Sequence, residues 1–174
     1  IVIWFQHAHY FLKYGLQDRL TIVLNTILLF LVLVYVYPLK FLTRLLVQIY
    51  GELFGLLDSG LSNFGDYSQA NMQLLMIYYG LGAFMIFITL WLMYLRALRL
   101  SDQLKLNAYE KFATRVSMYA NLLLASVPLL SVLVAWVDPF GNYITFVVAG
   151  FLYFLYMPIM TIFGVVARKK RKKM

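Results

Sequence analysis

Residues Leu20–Tyr37 read LTIVLNTILLFLVLVYVY, eighteen in a row without a charge. A helix needs about 20 predominantly apolar residues to cross the ~30 Å hydrocarbon core of a bilayer. Lipid offers backbone N–H and C=O groups no partners, so such a run must close its hydrogen bonds within itself as a helix. Asp18-Arg19 bound the stretch on one side and Pro38 on the other. It therefore predicts a membrane helix over about 20–37, kinked or ended by the proline.

The rest of the chain agrees. Of its 174 residues, 63% are hydrophobic and only 13% charged, against about a quarter charged in a soluble domain. The mean hydropathy is +0.80. The chain reads as an all-α, polytopic helical membrane protein. The absence of cysteine excludes disulfides, thiolate metal sites and cysteine nucleophiles. The net charge of +8 invites a nucleic-acid reading. That reading fails because the charges flank the hydrophobic spans. The chain begins at Ile1 and lacks the basic n-region of a signal peptide, so further sequence is expected upstream.

Five helices are visible in one domain, 1–168, followed by a basic tail, 168–174. The first, about 1–14, is short, roughly 21 Å, and Gly15 ends it. The second, about 20–37, is followed by an amphipathic continuation over 39–57. This either prolongs the helix or lies in the membrane interface. DSGLSNFGDYSQAN (Asp58–Asn71) reads as a loop. Three further helices are expected at about 73–95, 116–136 and 143–167. The last two contain Pro128 and Pro158, and DPFGN (Asp138–Asn142) forms the turn between them.

With the first turn, the connection 96–115 and the C-terminal tail on one side, that side holds 13 of the 15 Lys and Arg. The positive-inside rule makes it cytoplasmic. The first helix then enters from outside. A further helix before Ile1 would remove that anomaly and complete a unit of six.

Soluble-enzyme motifs are absent. His7 and His9 are two residues apart, about 200° around a helix, and make a poor chelating pair. No metal or cofactor is expected. Gly80, Gly82 and Ala83 read as a close helix contact. The 28 Tyr and Phe residues read mostly as interface belts and lipid-facing bulk. The RKKRKK tail reads as a topology anchor that also touches anionic lipid. Trp4 and His7 share a face of the first helix. A tight first turn would bring Asn25 to the depth of His7. Trp4, His7 and Asn25 could then form one hydrogen-bonded layer: either a clamp that sets helix register, or a permeation or proton-sensing site.

Trp4-x-x-His7, then Asp18, then Asn25 followed by TILLFLVLVYVYP, resembles the second and third helices of the endolysosomal potassium-channel family. The likeness is nearest to that family's bacterial single-repeat branch. The specific match covers about residues 4–44, and the helix count and topology extend it along the chain. The resemblance implies that the visible helices correspond to helices two to six of a six-helix repeat. It also implies a homotetramer with potassium as permeant, and an interhelical polar network of Trp4, His7, Asp18 and Asn25. The family's signature, Arg-x-x-x-Phe-Ser-Asp, belongs to its pore-lining first helix and does not occur in this sequence. The expected function is thus a subunit of a potassium-permeable channel whose pore-lining helix is not represented here. The expected site is a bacterial inner membrane, with the lipid bilayer as partner, no nucleic acid and a cytoplasmic C-terminus. A non-conducting scaffold or accessory subunit is the competing reading. A lipid-acting enzyme would need catalytic spacing that His7, His9, Asp18 and Glu110 do not show.

Overall fold

A computed structural model describes residues 2–53, 69–139 and 142–171. Helix α1 is Val2–Tyr14, α2 is Arg19–Leu53, α3 is Gln69–Arg99 and α4 is Ala108–Val137. The last apolar span comprises α5 (Asn142–Phe151), a 3-10 turn (Leu152–Leu155) and α6 (Tyr156–Arg171). Among the described residues, four stretches are long and apolar enough to cross a membrane: Arg19–Tyr37, Gln73–Arg99, Ala108–Val137 and Val148–Lys170. The chain is an integral membrane protein of the helical class.

Residues 39–53 continue α2, one of the two courses the residue pattern left open, and at 35 residues the helix is about 52 Å long and overshoots the hydrocarbon core. The ends of other elements differ from the reading by residue pattern. Helices α3 and α4 each extend beyond the apolar runs 73–95 and 116–136, because Gln69–Met72, Arg96–Arg99 and Ala108–Arg115 are helical. The charged connection shrinks to a few residues. The end of the expected continuation and most of the loop (54–68), two residues of the turn (140–141) and the last residues of the tail (172–174) lie outside the described residues.

The antiparallel pair α3–α4 is the centre of the molecule and makes its most extensive helix contact. In the apolar windows of these helices 39% and 44% of residues are buried, against 11% in α2 and 6% in the last span. Small side chains are buried on both helices, Ala83 and Ala97 on α3 and Ala125 and Ala135 on α4. At Gly80 a Cβ would overlap Val132 Cγ2 and lie 3.0 Å from the Pro128 carbonyl oxygen. Packing of this kind drives association in lipid, where there is no hydrophobic effect between helices.

Pro128 interrupts α4. Its missing N–H leaves the Leu124 carbonyl, four residues earlier, without its helical donor. The Tyr156 hydroxyl donates to that carbonyl at 3.2 Å. Two turns away along the interface, Ser131 Oγ donates to the Ala149 carbonyl at 3.0 Å, close to where the last span changes from i−4 to i−3 bonding. Pro158 falls in the first turn of α6, where no intrahelical N–H is needed. The 3-10 turn is thus the local solution to a proline inside an otherwise continuous span.

Candidate functional site

Helix α1 is only 13 residues long, yet one stripe of it bonds to each of the next three helices. His7 Nε2 meets Asn25 Oδ1 of α2 at 2.6 Å. An amide oxygen only accepts, so Nε2 carries the proton. The Tyr10 hydroxyl, fully buried, donates to the Met93 carbonyl of α3 at 3.1 Å. One turn on, the Tyr14 hydroxyl pairs with Thr114 Oγ1 of α4 at 2.7 Å. His7, Tyr10 and Tyr14 stand at i, i+3 and i+7, a single helix face. Their rings pack as well as bond. Tyr10 and Tyr94 lie 5.4 Å apart edge to face, and Tyr10 and Tyr14 are 5.0 Å apart, geometries that add to the area they bury.

The stripe ends at the α1–α2 turn. Gly15 adopts φ +56 there, and its N–H bonds back to the Phe11 carbonyl at 3.0 Å. This left-handed cap is strained for any residue with a Cβ. Asp18 follows, immediately before α2, and its carbonyl accepts the Ile22 N–H at 3.0 Å. Both carboxylate oxygens are engaged. Oδ1 accepts from the buried Thr21 hydroxyl. Oδ2 accepts from Arg96 Nε at 3.2 Å and Nη2 at 3.0 Å. The Thr21 hydrogen bond, with Arg96 behind it, holds the Asp18 carboxyl below its ordinary pKa, against the opposing effect of partial burial. The acid sits at the positive end of α2 and the arginine in the last turn of α3, each where the helix dipole favours it.

Of the four residues expected in the network, His7 and Asn25 bond to each other, whereas Asp18 bonds to Thr21 and Arg96 and not to that pair. Trp4 does not join them. Its side chain is 72% exposed, and among the described residues it makes no hydrogen bond. Trp4, Phe5, His9 and Leu12 form the outward face of α1, with His9 stacked on Phe5 at 6.2 Å. Behind them Gln6 Oε1 is buried without a hydrogen-bond partner. Among the described residues no group of three His, Cys, Asp or Glu comes together.

The residue pattern did not single out Tyr10, Tyr14, Thr21, Arg96 or Thr114. The two tyrosines were grouped with interfacial aromatics, but Tyr10, Tyr14, Tyr79 and Tyr94 are core residues. The signal available was their spacing of three and seven from His7. Arg96 could not be paired with Asp18 from the chain alone, because 78 residues separate them.

The chain matches no protein-family model. It is 58% identical, over all of its 174 residues and 70% of the relative's length, to a protein of Marivirga tractuosa named potassium channel. It also resembles a crystal structure of a variant of the potassium channel MtTMEM175 bound to a nanobody–MBP fusion. The TM-score is 0.84 at 58% identity, over 97% of this chain and 72% of that one.

Proposed function

The chain belongs to the potassium-channel family of these relatives, the endolysosomal type in its bacterial branch, and we propose that it is a subunit of a potassium-permeable channel. The identity runs the whole length of the chain, and that single observation carries the reading. The geometry agrees with it. The hydrogen-bonded stripe fixes α1 on α2, α3 and α4, and leaves the Trp4–Phe5–Leu12 face and the buried Gln6 oxygen without partners. Within the channel this face supports the pore-lining helix, and the His7–Asn25 and Asp18–Arg96 pairs hold the support rigid. Trp4, His7, Asp18 and Asn25 therefore act by positioning and do not touch the ion.

The channel is a tetramer in a bacterial inner membrane. Its transmembrane domain is 1–168 and its basic tail cytoplasmic, as the side bearing most of the Lys and Arg requires. The Asp18–Arg96 and Tyr14–Thr114 contacts support that sidedness, because they gather the first turn, the end of α3 and the start of α4 at one end of the bundle.

The test is cation flux from liposomes loaded with potassium, using the native protein. Potassium efflux exceeding sodium efflux is expected, with loss of flux in His7→Ala. Liposomes that hold potassium as tightly as empty ones would overturn conduction and leave the non-conducting scaffold.

A further inference from the structure

The end of the molecule that carries the first turn is strongly basic, and its acids are already used. Asp18 is bound by Thr21 and Arg96. Asp102 is paired with Lys111 at 2.8 Å. Glu110 Oε2 accepts the Asn107 N–H at 2.8 Å, at the start of α4. Six cations are left exposed along α3, α4, α6 and the connection between α3 and α4. Arg99, Lys105, Arg115, Arg168, Lys169 and Lys170 all face outward, and among the described residues none of the six forms a salt bridge.

Two contacts set the level of the last three. Ser131 meets Ala149 and Tyr156 meets Leu124, so α4 and the last span run antiparallel with a steady register. Extended toward Arg171, that register brings Arg168–Lys170 level with Glu110–Phe112, beside the end of α3. The same helices present apolar side chains to the surroundings a turn or two deeper, namely Ile162, Val165 and Val166 on α6 and Tyr119 and Leu122 on α4. The basic belt thus sits where a membrane-embedded surface gives way to headgroups. A soluble polyanion would have to reach the cations across that headgroup layer, whereas a lipid phosphate already lies in it.

We propose that Arg99, Lys105, Arg115 and Arg168–Lys170 form a binding surface for the headgroups of anionic phospholipids at this end of the bundle. Each cation near the surface strengthens such binding about fivefold, and long basic side chains reach the phosphates while their stems stay against apolar surface. The inference rests on the membrane reading alone and not on potassium conduction, so its test needs no flux.

The experiment places the native protein in bilayers of one part phosphatidylglycerol to four of phosphatidylcholine, releases it, and counts the lipids retained by native mass spectrometry. Phosphatidylglycerol should be enriched several-fold over the bulk ratio, and potassium chloride should weaken the enrichment. Replacing Arg168, Lys169 and Lys170 together by Gln should cut it at least threefold. Arg99→Gln with Arg115→Gln should lower it in a correctly folded protein if the triple variant does not insert. Lys40→Gln, in α2 just past the far end of the apolar span Arg19–Tyr37, should leave it unchanged. Retention at the bulk ratio, enrichment insensitive to salt, or an equal loss in Lys40→Gln would each overturn the proposal.

Discussion

His7 and Asn25 illustrate what a polar pair does in an apolar bundle. Each would be costly alone in lipid, and together they satisfy one another. His7→Ala leaves the Asn25 amide oxygen without its donor, at a cost of about 1–3 kcal/mol. The double variant His7→Ala/Asn25→Ala removes both partners and should recover part of that loss. Thermal unfolding of the four proteins in one detergent measures the coupling, about 1 kcal/mol for residues in direct contact. Strict additivity would mean that the two residues act separately. Asp18 makes a pH-dependent contribution. Its folded carboxyl holds its proton less tightly than the unfolded one, so in acid the unfolded chain binds more protons. The stabilisation is therefore complete at neutral pH, and it is lost as pH falls through the ordinary carboxylate range, ~4, and below. Asp18→Asn should lower stability by about 1–2 kcal/mol at pH 7, and the gap to wild type should close in acid. A gap that stays constant with pH would show that the charge on Asp18 is immaterial.

At the scale of the helix, prolines decide where bonds cross between elements. Tyr156 donates to a carbonyl that Pro128 has freed. Tyr156→Phe should therefore cost about 1 kcal/mol in wild type. In a Pro128→Ala background residue 128 regains its N–H and serves the Leu124 carbonyl itself, so the same substitution should cost less. Equal costs in the two backgrounds, measured by unfolding, would show that the tyrosine bond does not depend on the proline. Gly80 is the complementary case. A Cβ there meets Val132 and the α4 backbone, and the backbone cannot give way as a flexible side chain can. Gly80→Ala should destabilise by about 1–3 kcal/mol through overpacking. Gly164, where an added Cβ would meet no atom within 4 Å, should accept Ala with little change.

At the scale of the whole molecule, α2 and the last span are barely covered by the rest of the chain. Lipid covers them, and in the proposed tetramer neighbouring subunits do so as well. Light scattering of the detergent-solubilised protein should give four chain masses of protein, and a single chain mass would remove the tetramer. The residues by themselves determined the class of this protein, because eighteen uncharged and mostly apolar residues in a row have one stable form in lipid. They also determined the charge asymmetry and, through Trp4, His7, Asp18 and Asn25, the family. Helix ends were harder to read, since Arg96, Arg99 and Lys111 lie in helices that outlast their apolar runs. Local pattern could not say which residues meet across the bundle. That Asp18 takes Arg96, that Tyr10 and Tyr14 are core and not belt, that Trp4 stands apart from His7, and that Tyr156 answers Pro128 were decided only when the helices packed. Each depends on groups distant in the chain, or on which way a ring turns, and those are properties of depth and register that no single helix contains.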